Sequence, residues 1–136
     1  MSRNVYIAVI DDDDSVGASL GRLLRQARFQ PISYLSAEAY LADENRPRFD
    51  CLLLDVRLGG ISGLDLLAQF AANKPHPPVI FITALDDPAA RAKAQALGCA
   101  GFFLKSTPGV DVIEAILRAT RDSTAPPQAS GQAGTG

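Results

Sequence analysis

Short apolar runs alternate with helically periodic stretches along most of the chain. Val5-Tyr6-Ile7-Ala8-Val9-Ile10 is a continuous apolar run and predicts a strand buried on both faces. Residues 14–27 follow with Val16, Leu20, Leu23 and Leu24 at helical spacing. Gln30–Tyr34 predicts a weaker strand, and Pro31, with no amide hydrogen for a ladder, places it near a sheet edge. Ser36 opens the next helix as a simple N-cap, because Glu38 comes two residues on rather than at capping-box spacing. Cys51-Leu52-Leu53-Leu54 is a third strand ending in Asp55, and residues 62–72 then show Leu64, Leu67 and Phe70 on one helical face. Val79-Ile80-Phe81-Ile82 is a fourth strand ending in Thr83. Asp87-Pro88 joins an N-cap to a proline at the first helical position, opening a helix that runs to Leu97-Gly98. Phe102-Phe103-Leu104 is a fifth strand ending in Lys105, and Thr107-Pro108 opens a last helix with Ile113, Ile116 and Leu117 inward.

The order is therefore βαβαβαβαβα. Continuous apolar strands separated by helices require a parallel sheet covered on both faces. Right-handed crossovers leave a doubly wound α/β arrangement, and five strands fit the flavodoxin-like order 2-1-3-4-5. In such a sheet ligands bind outside the carboxyl ends of the strands, at the switch point between the first and third strands.

Composition narrows the function. The 136 residues suit one domain, and 47% apolar with 21% charged residues is ordinary for a soluble protein. A net charge of −2 offers nothing to neutralise a run of phosphates, so direct nucleic-acid binding by this domain is not expected. The longest apolar run, six residues, is far short of a membrane span, and Met1-Ser2-Arg3-Asn4 does not open a signal peptide. Cys51 and Cys99 lie beside apolar residues and predict reduced, packed thiols in a cytoplasmic protein. A single histidine, His76, with no cysteine cluster makes zinc a poor expectation. Residues 123–136 carry no charge, aromatic or large aliphatic side chain. They are expected to form a flexible tail or interdomain linker after a domain spanning residues 1–122.

The candidate chemistry stands at the strand ends. Strand one runs into Asp11-Asp12-Asp13-Asp14, strand three into Asp55, strand four into Thr83 and strand five into Lys105. One aspartate suffices to cap a helix, and adjacent carboxylates repel by about 1 kcal/mol at 4 Å in water. Four polar accidents at the ends of four strands are a poor account of the pattern. Clustered carboxylates without cysteine or histidine suit a hard cation such as Mg²⁺, which takes one or two carboxylates and keeps positions for phosphate oxygens. An aspartate carboxylate can attack phosphorus, and a hydroxyl and an ammonium can neutralise the oxygens of the arriving group.

With these segments in view, the chain resembles the receiver domains of bacterial two-component response regulators. The matching stretches are Ile7-Ala8-Val9-Ile10-Asp11-Asp12, Leu52-Leu53-Leu54-Asp55-Val56-Arg57-Leu58, Ile61-Ser62-Gly63-Leu64-Asp65-Leu66, Val79-Ile80-Phe81-Ile82-Thr83-Ala84 and Gly101-Phe102-Phe103-Leu104-Lys105. They cover residues 5–121. The resemblance implies Asp55 as phosphoacceptor and a Mg²⁺ site from Asp11, Asp12, Asp55 and the Arg57 backbone carbonyl. It also implies Thr83, Ala84 and Lys105 as phosphate-binding and switch residues, and Phe102 as an aromatic that turns inward on phosphorylation. The implied donor is a sensor histidine kinase or a phosphotransfer protein. The implied recipients are an output domain or downstream protein, with a homodimer through the face of helix four, strand five and helix five. In this reading the chain is a phosphorelay component and not an enzyme.

Two positions depart from the family pattern. Ser106 stands where proline usually follows the lysine, so a trans peptide is expected there. Gly59-Gly60 stands where proline usually follows Leu58, which frees that loop's backbone. Three alternatives stay open at this point. A receiver-like binding module independent of phosphorylation is motivated by those two departures. A phosphatase resembling the haloacid dehalogenases is motivated by Asp11-Asp12-Asp13, with Asp11 as nucleophile and Asp13 as acid/base. A flavin-binding protein of the same topology would have to place a phosphate against an acidic loop.

Overall fold

The computed structural model describes residues 4–73 and 75–124. Five strands and five helices alternate: β1 (Tyr6–Ile10), α1 (Asp14–Gln26), β2 (Gln30–Tyr34), α2 (Ala37–Ala42), β3 (Cys51–Leu54), α3 (Gly63–Ala72), β4 (Val79–Thr83), α4 (Pro88–Ala96), β5 (Gly101–Leu104) and α5 (Gly109–Thr124). The strands form one sheet in the order β2-β1-β3-β4-β5, as expected. Every pairing is parallel. β2 is an edge strand, where Pro31 is tolerated.

Successive strand residues point to opposite faces and both faces are covered, which is why β1, β3 and β4 read as continuous apolar runs while the edge strand β2 does not. Ile7, Val9, Cys51, Leu53, Ile80 and Ile82 pack with Leu24 of α1 and Val112 and Ile116 of α5. Ala8, Ile10, Leu52, Leu54 and Phe81 pack on the other side with Tyr40 of α2 and with Leu66 and Leu67 of α3.

The helices start where their caps direct. Ser36 Oγ accepts the Ala39 amide at 2.9 Å, a simple cap as expected. Asp87 caps α4 ahead of Pro88. α3 begins with a reciprocal capping box between Ser62 and Asp65 that periodicity alone does not bring out. Two helical faces are phased differently from expectation. In α5 the inward residues are Val112, Ala115, Ile116 and Ala119, while Leu117 is exposed and Ile113 only partly covered. In α3 Leu66 joins Leu67 in full burial, while Leu64 and Phe70 pack at the margin. α5 continues to Thr124, two residues past the expected boundary. The rest of the expected tail, residues 125–136, lies outside the described residues.

Register sets the site. Ile10 pairs with Leu54, so Asp11 and Asp55 are the next residues of adjacent strands. Thr83 pairs with Leu104, so Lys105 follows directly beside the end of β4.

Candidate functional site

The backbone ladder carries on into the two aspartates. The Asp11 amide donates to Tyr34 O at 3.1 Å and the Asp55 amide to Ile10 O at 3.0 Å. Both carboxylates are therefore fixed by strand geometry, at 5% and 6% exposure. Their remaining contacts mirror one another. One oxygen of each accepts an amide two residues on: Asp13 N–H to Asp11 Oδ1 at 2.9 Å, Arg57 N–H to Asp55 Oδ1 at 3.1 Å. The other oxygen of each meets Lys105 Nζ, at 3.0 Å for Asp11 Oδ2 and 3.1 Å for Asp55 Oδ2. The lysine thus bridges β1 and β3 from the end of β5. Ser106 in place of proline leaves it within reach of both carboxylates.

One ammonium does not satisfy two buried carboxylates. Burial raises the Asp55 carboxyl above its ordinary value, with the Asp11 charge adding to the rise. The Arg57 amide and Lys105 oppose it without overcoming it. Burial pulls the Lys105 ammonium down, but its hydrogen bonds to Asp11 and Asp55 outweigh that and hold it above its ordinary value. Asp12 is exposed, yet Asp11, Asp12 and Asp55 each offer a carboxylate oxygen within 4.8 Å of the others. Three carboxylates against one ammonium leave a surplus of negative charge in an all-oxygen donor set. That chemistry fits a hard divalent cation.

The other two aspartates of the run serve the helix. Asp13 caps α1, accepting the Ser15 amide at 2.9 Å and the Ser15 hydroxyl at 2.7 Å. These bonds, the hydroxyl's first, hold its carboxyl below the usual range. Asp14 lies in the first turn, where the helix dipole favours a negative charge. Asp13 is thereby engaged away from the acid/base role that the phosphatase alternative needs.

Thr83 is 2% exposed at the end of β4, and its carbonyl accepts the Lys105 amide at 2.8 Å. Ala84 is exposed beside it. Phe102 is already inward, with its ring 5.9 Å from that of Phe81. The Arg91 guanidinium lies over it at 4.7 Å and pairs with Asp86 at 3.0 Å. Arg57 turns its side chain outward to Asp87 at 3.7 Å, leaving its backbone in the turn beside Asp55.

Sequence reasoning missed two contributors. Gly63 approaches the back of the site so closely that a Cβ there would come 2.1 Å from Asp55 O. Arg91 covers Phe102 from α4, and nothing in its sequence neighbourhood marks it for that contact. The Gly63 signal was present in the Ser62-Gly63-Leu64-Asp65 capping box, which places the glycine at the first helical position.

A family model described as the response regulator receiver domain matches residues 7–117. The chain belongs to this family. Nodulation protein W of Bradyrhizobium diazoefficiens is 33% identical over 119 residues, which are 88% of this chain and 52% of that protein. Transcriptional regulatory protein FixJ of Azorhizobium caulinodans is 35% identical over 116 residues, 85% of this chain and 55% of that protein. The chain spans about half the length of the curated relatives it matches. Among solved structures, FixJ-N superposes with a TM-score of 0.81 at 30% identity, covering 92% of this chain and 100% of that one. A CheY-like receiver domain protein from Methanospirillum hungatei gives 0.80 at 20% identity over 88% and 96%, a likeness of fold. The chain is thus a two-component response regulator receiver domain.

Proposed function

We propose that this receiver accepts a phosphoryl group on Asp55 from a sensor histidine kinase or a phosphotransfer protein. The observation that carries this reading is the Lys105 ammonium held between Asp11 and Asp55 at a sheet edge where carboxylates outnumber cations. An Asp55 carboxylate oxygen forms the new P–O bond as the P–N bond to the donor histidine breaks, and the imidazole leaves with that electron pair. Lys105 and the Thr83 hydroxyl receive the phosphoryl oxygens. Asp11, Asp12 and Asp55, with the Arg57 carbonyl, would hold Mg²⁺, which when bound supplies charge neutralisation between carboxylates and phosphoryl group.

Phosphorylation adds a charge of about −1.5 to −2 and strong acceptors to this edge. Buried Thr83 at the end of β4 and exposed Ala84 after it are the groups left to respond, since Phe102 already occupies the inward position. The change is read at the face of α4, β5 and α5, by an output domain, a downstream protein or a second copy of the chain. The greater length of the relatives favours a further domain. The domain works as a signalling module and not a turnover catalyst, in the cytoplasm, without direct nucleic-acid contact. Among the described residues no helix is long and apolar enough to cross a membrane.

The test is labelling with acetyl phosphate and Mg²⁺ followed by mass-spectrometric mapping of the modified residue. Label on Asp55 is expected. Label on Asp11 accompanied by catalytic turnover would replace this reading with the phosphatase.

A further inference from the structure

The segment from Asp55 to α3 is tied down at both ends. At its start Arg57 N–H donates to Asp55 Oδ1, and at its end Gly63 N–H returns to Val56 O at 3.1 Å, next to the Ser62–Asp65 capping box. Its middle, Gly59-Gly60-Ile61, has neither anchor. There Glu38 reaches across from the first turn of α2, and its Oε2 accepts the Ile61 amide at 2.9 Å. This bond ties the middle of the segment to α2, as the capping box ties its end to α3. Gly60 fits the same contact in two ways. Its φ of +72° is in the region that favours glycine, and a Cβ there would come 2.1 Å from Glu38 Oε2. Any side chain at 60 therefore displaces the carboxylate, whereas Gly59 has open space around it.

We infer that Glu38 is a positioning residue for the phosphoryl site: from α2 it sets the course of the β3–α3 loop and, through it, the backbone beside Asp55 that presents the Arg57 carbonyl. This rests on the metal-dependent reading above. Glu38 touches neither metal nor phosphoryl group. Its acceptor oxygen substitutes for the stiffness that a proline after Leu58 would give the loop.

The test compares the full chain with Glu38→Ala, Glu38→Gln and Gly60→Ala. It measures Ile61 amide exchange by NMR and Mg²⁺ affinity by calorimetry. Glu38→Ala should speed Ile61 exchange about tenfold and raise the Mg²⁺ Kd about three- to tenfold, the worth of one hydrogen bond. Glu38→Gln keeps an acceptor and should stay near wild type on both. Gly60→Ala should behave like Glu38→Ala. If Glu38→Ala binds Mg²⁺ as wild type does, or Glu38→Gln falls as far as Glu38→Ala, the positioning role is overturned. The second result would assign the effect to the lost charge. A wild-type chain that binds no Mg²⁺ overturns the metal-dependent reading and this inference together.

Discussion

β3 is bracketed by two aspartates, and its two ends do different work. At the start, Asp50 clasps β1: its amide donates to Tyr6 O at 2.8 Å and its Oδ2 accepts the Tyr6 amide at 2.9 Å. At the finish, the Asp55 amide makes the same kind of ladder bond, but its side chain faces a second buried carboxylate across a shared lysine. Asp50 spends its charge on a backbone donor. Asp55 is buried where ionisation is disfavoured, so its carboxyl is raised. The same residue type secures the fold at one end of a four-residue strand and concentrates unsatisfied charge at the other. The neighbouring chain segment supplies the difference: an amide of β1 at one end, the carboxylate of Asp11 just past β1 at the other.

The largest effect should come from exchanging the two ends' roles by substitution. Asp55→Asn should abolish acetyl-phosphate labelling, while Asp50→Ala should leave it in place. In thermal melts without Mg²⁺ the order should reverse. Asp50→Ala loses a backbone clasp worth about 1 kcal/mol. Asp55→Asn removes a charge that burial disfavours, so its Tm should be unchanged or higher. A lower Tm for Asp55→Asn than for Asp50→Ala would break the comparison. Next in size is Lys105→Met, which leaves Asp11 and Asp55 without their shared cation. Mg²⁺ should then bind about tenfold more tightly, by the Coulomb attraction no longer offset, while phosphoryl labelling slows. Weaker Mg²⁺ binding in titration calorimetry would contradict the geometry.

The effect that is smallest at neutral pH, and grows only in alkali, belongs to Cys51, inside β3 next to Asp50. Burial, with the Asp50 charge adding, pushes its thiol from an ordinary 9.0 up to about 12. The folded value lies above the unfolded one, so this contribution to stability is complete below pH 9 and is lost as pH rises toward 12. The slope is at most about 1.4 kcal/mol per pH unit. Urea unfolding of wild type and Cys51→Ala across that range should show the wild type alone losing this part.

The inner strands β1, β3 and β4 were legible because burial on both faces leaves an uninterrupted apolar run, whereas β2 was marked by Pro31 as an edge, and the sheet order followed from the alternation with helices. The candidate site was legible as a cluster for the same reason: Asp11, Asp55, Thr83 and Lys105 are the first polar residues after the strand runs, and parallel register brings them to one edge. The phase of a helix was harder to read. Periodicity marks a stripe, but Leu117 and Val112 both fit one on α5, and only the sheet residues packed against the helix select Val112. Contacts between distant elements left no local trace. Glu38 reads as an ordinary first-turn acid until Ile61 is placed beside it. Arg28 takes a left-handed φ of 71° after α1, where glycine would have signalled the turn.

The central claim is that Asp55 is the phosphoacceptor of a Mg²⁺-dependent edge. A crystal structure with Mg²⁺ and beryllofluoride tests it most directly. The account predicts a beryllofluoride group on an Asp55 carboxylate oxygen, a metal ligated by Asp11 and Asp12, and Lys105 turned to a fluorine. Beryllofluoride on Asp11, or none beside Asp55 with both reagents present in excess, would contradict it.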